Sequence, residues 1–276
     1  MKGRLLPLHT QHLVAPHPST LPASFPALPP VVLLHGFCSS ADEDFLTTGW
    51  AATLLAAGRD VITIDLPGHG QSPAIATEAE ARTSALVASI LEAIEGAGVS
   101  DDANTGTDAT CDVIGYSLGA RLAWALAARS RESGSLGSES MESGSPRVRR
   151  LVLGGLSPFE PFSAVDPEDL AAALGGATPQ HPLVGMMAGM ISTPGRDTAS
   201  LARLIGGLAA EPFRPGDGGP TIPTLFVAGT NDDMSDGIEN VAATLQRGSV
   251  TRVPGDHRGA LDSPEFRSAA VEFLAN

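Results

Sequence analysis

Aromatic residues are scarce in this chain, 4% of 276 residues with one tyrosine and two tryptophans, so alanine, leucine and valine must do most of the packing. Cysteine is scarcer: Cys38 and Cys111 are the only two, and Cys111 lies in a run that reads as a buried strand. A disulfide framework is therefore not expected, a reducing compartment is permitted, and the chain reads as cytoplasmic. Positive charge is also short. Seventeen Lys and Arg face 31 Asp and Glu for a net charge of -14, and no basic cluster focuses a positive field. Nucleic acid and anionic membrane surfaces are not expected partners. No apolar run is long enough to span a bilayer, and Met1 to Thr10 lacks an uninterrupted apolar core of the kind a signal peptide needs. No internal repeat is visible.

With 42% hydrophobic residues the chain can bury a large core, and α/β folds of this length are routinely one domain, expected here over residues 1–276. Short apolar runs recur at Val31 to Leu34, Val61 to Ile64, Cys111 to Ile114, Leu151 to Leu153, Leu225 to Ala228 and Ser249 to Val253. Helix-like stretches separate them: Thr47 to Ala57, the Leu86, Ile90, Leu91 and Ile94 face, Ile238 to Leu245, and Glu265 to Leu274 with Ser263 as N-cap and Pro264 at the first turn. That alternation predicts an α/β fold, a mostly parallel central sheet with helices on both faces. Three segments depart from it. Met1 to Pro30 is rich in proline and histidine and is expected to hold one antiparallel edge hairpin. Ser130 to Pro146 reads as an exposed flexible insertion. Residues 156–220 are too long for a bare connection and carry helical fragments at Leu170 to Leu174 and Leu183 to Ile191, so a small cap is expected there.

Between the run ending at Ile114 and the helix-like stretch from Ala120, residues Gly115-Tyr116-Ser117-Leu118-Gly119 spell GxSxG. A serine on a sharp strand-to-helix turn has strained dihedrals, and flanking side chains would collide with the neighbouring strand and helix, hence the glycines. Its hydroxyl needs a base, and the base needs a carboxylate behind it. Catalytic groups in such a topology lie beyond the carboxyl ends of strands. His257 follows the run ending at Val253, and Asp232 follows the run ending at Ala228, with Asp233 as its neighbouring rival. The order Ser117, Asp232, His257 is serine, acid, histidine.

These motifs, with Leu33-Leu34-His35-Gly36-Phe37 and Asp65-Leu66-Pro67-Gly68-His69-Gly70-Gln71-Ser72, resemble the α/β-hydrolase fold family from about Pro30 onward. The resemblance implies Ser117 as nucleophile, His257 as general base, Asp232 as its orienting acid, and the Phe37 and Leu118 amides as an oxyanion hole. Asp256 stands where the family usually has glycine before the histidine. A serine elbow favours a small ester or thioester substrate cleaved through an acyl-enzyme, with no cofactor and no metal. Further candidates for substrate contact are His35, Tyr116, Arg121, Met186, Met187 and Met190. His35 and His69 also read as ties within their turns. His181 lies in the cap, Cys38 lacks an elbow and reads as packing, and Arg121 reads as a surface residue of the elbow helix.

Other readings use the same residues. Gly115 to Arg121 with Leu34 to Phe37 also resembles the menaquinone-pathway lyase, in which a serine-histidine pair abstracts a proton and arginines hold the acids; Arg121, Arg203 and Arg214 would be those arginines here. A carbon-carbon bond hydrolase is a further branch of the fold. A non-catalytic ligand-binding protein on a hydrolase scaffold is the third reading, because fold does not fix function. The oligomeric state is not legible.

Overall fold

The computed structural model describes residues 5–16, 28–99, 109–132 and 146–276, with side chains from residue 130 to 132 left aside. Seven strands, β1 (Thr10–Leu13), β2 (Val31–Leu34), β3 (Val61–Ile64), β4 (Thr110–Tyr116), β5 (Arg147–Gly154), β6 (Thr224–Gly229) and β7 (Gly248–Val253), form one sheet in the order β1-β3-β2-β4-β5-β6-β7. β1 runs antiparallel to β3 at the edge, and every other neighbouring pair is parallel. The fold is the mostly parallel α/β arrangement predicted from the alternation. β1 is the one strand described in the segment expected to hold an edge hairpin; the rest of that expectation falls on residues 1–4 and 17–27, outside the described residues. Residues 133–145 of the expected insertion lie outside them too.

Side-chain alternation divides the core in two. Val32, Leu34, Ile62, Ile64 and Val113 face one layer, while Val31, Leu33, Val61, Ile114 and Val152 face the other. The first layer is covered by α2 (Thr83–Gly96), α3 (Leu118–Glu132) and α7 (Ile238–Ala243). The second is covered by α1 (Trp50–Ala56), α8 (His257–Asp262) and α9 (Pro264–Ala275). Burial on both faces explains why the strands read as unbroken apolar runs. Ser263 caps α9 by accepting from the Phe266 amide, with Pro264 in the first turn, as its sequence predicts. The predicted Thr47 helix starts at Trp50 instead, after a π-helical turn over Asp42–Leu46 and a left-handed Gly49.

Between β5 and β6 lie three helices, α4 (Pro167–Leu174), α5 (Pro182–Ile191) and α6 (Thr198–Ala210). The side chains of Asp166, His181 and Asp197 cap them, and proline begins the first two. Leu170, Val184, Leu201, Leu204 and Leu208 join the first core layer. Among the described residues no helix is long and apolar enough to cross a membrane.

Candidate active site

Four strand ends converge at the carboxyl edge of the sheet. Ser117 sits at φ 52°, left-handed, between β4 and α3, and its amide donates to the Gly154 carbonyl at 2.8 Å. The flanking glycines are required sterically: a Cβ on Gly119 would overlap the Leu34 carbonyl, and one on Gly115 would overlap the Gly119 carbonyl. The sharp turn lifts the Ser117 hydroxyl out of the sheet, 3.1 Å from His257 Nε2.

His257 opens α8 immediately after Asp256, whose carboxylate caps that helix by accepting from the Gly259 amide at 2.8 Å. The residue that departs from the family's glycine thus fixes the backbone on which His257 stands. His257 Nδ1 lies 3.0 and 3.1 Å from the two carboxylate oxygens of Asp232. A carboxylate can only accept, so Nδ1 carries the ring proton and Nε2 is left to accept from the Ser117 hydroxyl. Asp232 is buried, accepting also from Ser235 Oγ at 2.6 Å and the Met234 amide at 3.1 Å. Burial alone would raise its carboxyl, but the hydrogen bonds from His257 and Ser235 outweigh it and hold Asp232 below the usual carboxylate range. Asp233, one residue on, is exposed at the start of a 3-10 turn.

The turn after β2 runs past the serine on the other side. Gly36 and Phe37 line the cavity with Ser117 and Leu118, and the Leu118 amide is among the first-turn N–H groups that no carbonyl within α3 can satisfy. Cys38 is the second non-glycine residue with positive φ, at 55°, and its amide donates to His69 Nε2 at 3.1 Å. Its thiol is pushed up to about 12 by burial and packs against the core, as the sequence suggested. A buried carboxylate braces this turn: Asp44 accepts from the Gly36 amide at 2.8 Å, from Ser39 Oγ at 2.5 Å and from Arg258 Nη1 at 2.5 Å. Because Arg258 follows His257, this ion pair ties the turn after β2 to the histidine loop. Neither residue stands out in the sequence: Asp44 follows Ser39, Ser40, Asp42 and Glu43, and nothing local sets it apart from those neighbours.

Two expectations are corrected here. His35 was a candidate for substrate contact, but it is fully buried behind the cavity, with Nδ1 donating to the Gly36 carbonyl at 2.8 Å and Nε2 accepting from the Leu66 amide at 2.9 Å. Both ring nitrogens are spent on holding the two turns together. Burial lowers its proton affinity, and that of its neighbour His69 falls to about 3 for the same reason. Arg121 was expected at the surface, yet it is 5% exposed and borders the cavity. Its Nη2 meets Glu160 Oε2 at 2.8 Å and the carbonyls of Glu211 and Leu208 at 2.8 and 3.0 Å. The Glu160 carboxylate also accepts from the amides of Phe162 at 3.0 Å and Phe213 at 2.6 Å. Charge pairing with a residue 39 positions away makes burial of the guanidinium tolerable, and no local pattern reports such a partner. Arg121 Nε and Nη1 are buried with no hydrogen-bond partner.

The remaining candidates fall as follows. The cavity holds about 340 Å³, and Tyr116, Met186, Met187 and Met190 all border it. The Tyr116 hydroxyl donates to the His257 carbonyl, its ring packs 5.6 Å from the imidazole, and burial raises its pKa. His181 caps α5 and is exposed. Arg203 donates to the Ile75 carbonyl at 3.1 Å, while Arg214 lines a separate shallow groove with Arg129 and Glu211. Among the described residues no cluster of His, Cys, Asp and Glu side chains is arranged to hold a metal ion.

A parallel sheet with a left-handed serine at its carboxyl edge, followed by acid and histidine on the last two strands, defines a class of fold. Residues 29–175 match the family model described as the alpha/beta hydrolase fold, and the chain belongs to that family. Among solved structures it is similar to a probable hydrolytic enzyme from Pseudomonas aeruginosa PAO1, with 20% identity, a TM-score of 0.67, and coverage of 99% of this chain and 91% of that one. It is also similar to the enol-lactonase from Burkholderia xenovorans LB400, with 17% identity over 98% of this chain and 96% of that chain and a TM-score of 0.65. MenH from S. aureus shares 18% identity over 97% and 98% of the two chains, with a TM-score of 0.62. At these identities the likeness is one of fold. No curated protein matches the chain in sequence.

Proposed function

We propose that the protein is a serine hydrolase that cleaves a small ester or thioester through an acyl-enzyme. The observation that carries this reading is the unbroken line from Ser117 Oγ through His257, 3.1 Å on one side, to Asp232, 3.0 Å on the other. Ser117 Oγ attacks the acyl carbon while His257 Nε2 takes the hydroxyl proton, and the Asp232 carboxylate steadies the resulting imidazolium. The carbonyl oxygen gains negative charge and is met by the Phe37 and Leu118 amides. Collapse of the tetrahedral intermediate breaks the bond to the leaving oxygen or sulfur, which receives the proton from His257. Water, deprotonated by the same nitrogen, then attacks the acyl-serine, releases the acid and restores the hydroxyl. Residues 156–220, with α4 to α6, serve in this reading as a cap over the site. The two unpaired thiols suit a reducing compartment such as the cytoplasm.

A fluorophosphonate probe tests this without knowledge of the substrate: a stoichiometric adduct on Ser117, located by mass spectrometry and absent from Ser117→Ala, is expected. No adduct would reject the nucleophile and leave the ligand-binding reading. A second reading, the lyase, is favoured by one observation, the two unbonded N–H groups of Arg121 at the cavity wall. Against it, Glu160 already compensates the guanidinium, and Arg203 and Arg214 do not border the cavity. The two arginines that do border it, Arg121 and Arg258, are each already paired with a carboxylate, so a multiply charged substrate would meet no uncompensated arginine.

A further inference from the structure

Seven large apolar side chains are exposed among the described residues, and four of them, Phe159, Met186, Met190 and Met234, line the one cavity above Ser117. They come from three separate segments: the loop after β5, one face of α5 where Met186 and Met190 lie one turn apart, and the turn after Asp232. Scattered exposed apolar residues need no explanation, but convergence of several on one opening marks a surface that meets an apolar ligand. Deeper in, the wall continues with buried Met187 and Phe162 and with Phe213. The formal charges on that wall are answered from within, Arg121 by Glu160 and Arg258 by Asp44. A charged substrate group would meet guanidinium charge that is already compensated, with only the Arg121 Nε and Nη1 hydrogens unengaged.

Methionines suit a particular kind of ligand. Their unbranched, polarisable side chains follow the shape of flexible chains better than a rigid aromatic wall does. A cavity of 340 Å³ lies near the small end of ligand pockets and holds roughly ten water-sized groups of about 30 Å³ each. We infer that the acyl group is an unbranched, uncharged chain of about eight carbons, running from Ser117 to the methionine-lined mouth. The inference rests on the serine hydrolase reading and specifies its substrate class.

The test is a series of p-nitrophenyl esters from acetate to dodecanoate, with the benzoate as a rigid comparison. Each newly buried methylene multiplies kcat/KM by up to roughly fourfold, so the octanoate should exceed the acetate by at least about tenfold, with a plateau or decline once the chain passes the mouth. Met190→Glu, at a position already 37% exposed and so tolerant of change, should lower the octanoate-to-acetate ratio at least about fivefold. Calorimetry on Ser117→Ala should detect ethyl octanoate and not ethyl acetate. A flat series, or a benzoate that outruns the octanoate, overturns the inference while Ser117 labelling leaves the hydrolase standing. Failure of Ser117 to label, with no turnover of any ester, overturns the hydrolase reading and this inference with it.

Discussion

The Arg121 to Glu160 pair yields a measurable consequence because both side chains are nearly solvent-free, 6% and 9% exposed. In Arg121→Met the aliphatic stem is largely replaced, but a buried carboxylate loses its cation, and the carbonyls of Leu208 and Glu211 lose their donor. Removing one partner of a buried pair costs about 3–5 kcal/mol. With a urea m-value of about 3 kcal/mol/M, the unfolding midpoint should fall by roughly 1–1.7 M. Adding Glu160→Gln neutralises the stranded carboxylate and keeps an acceptor for one of the Phe162 and Phe213 amides, which bond to different carboxylate oxygens. The double variant should therefore be more stable than Arg121→Met alone, a positive coupling of the kind that contacting residues show. Urea titration followed by tryptophan fluorescence reads all four corners of the cycle. A loss below about 1 kcal/mol in Arg121→Met, typical of an exposed ion pair, would refute the account of the pair as buried and mutually dependent. The same proteins separate the two chemistries. Without urea, the double variant should keep kcat/KM on a neutral ester within about fivefold of the parent, since it lacks no group that meets the reacting atoms. Activity confined to a dicarboxylate substrate, and abolished in the double variant, would establish the lyase in place of the hydrolase.

Ser117→Ala should abolish ester turnover and leave unfolding cooperative, and adding His257→Ala should cost almost nothing further because the members act as a unit; retention of most activity would sink the serine mechanism. Asp232→Asn should lower kcat by roughly ten-thousandfold by trapping the wrong imidazole tautomer, whereas Asp233→Asn should be mild, and reversed results would move the acid to Asp233. His69 gives a pH test: its folded pKa of about 3 lies below the unfolded value near 6.5, so its stabilising contribution is present above pH 6.5 and is lost as pH falls towards 3. Between pH 6.5 and 4.5 that loss is about 2 kcal/mol from this residue, and His69→Gln should show a correspondingly shallower acid fall in its urea midpoint.

What the sequence made legible is what local geometry imposes. β2 and β3 have the bounds read from their apolar runs because both faces of each strand are buried. The elbow was legible because Gly115 and Gly119 are there for a steric reason that acts within five residues and against one neighbouring strand. The apolar pattern starts β5 only at Leu151 because its first half carries Arg147, Arg149 and Arg150, yet Arg147 and Val148 pair in the ladder with Thr110 and Cys111. Arg149 is accommodated there by its ion pair with buried Asp112 on β4. Tertiary charge pairing overrode the hydrophobic pattern. The sequence does not announce α6, although Leu201, Leu204, Ile205 and Leu208 follow the Asp197 cap at helical spacing, because Gly206 and Gly207 weaken a helix. The structure gives a reason for the second glycine, since a Cβ there would overlap Ala81.

The wall of the cavity obeys a different logic from the catalytic line. Serine, acid and histidine each sit just past a strand end, so strand order alone brings them to one edge, and a reader who finds the strands finds the three residues. Arg121 and Glu160, or Asp44 and Arg258, are joined across 39 and 214 positions by segments with no shared periodicity, and each member looks like an ordinary surface charge until its partner is in place. Their effect is nevertheless chemical. By compensating one another they leave a wall rich in methionine and phenylalanine, so the residues that are least legible in the sequence are the ones on which the proposed neutral acyl substrate depends.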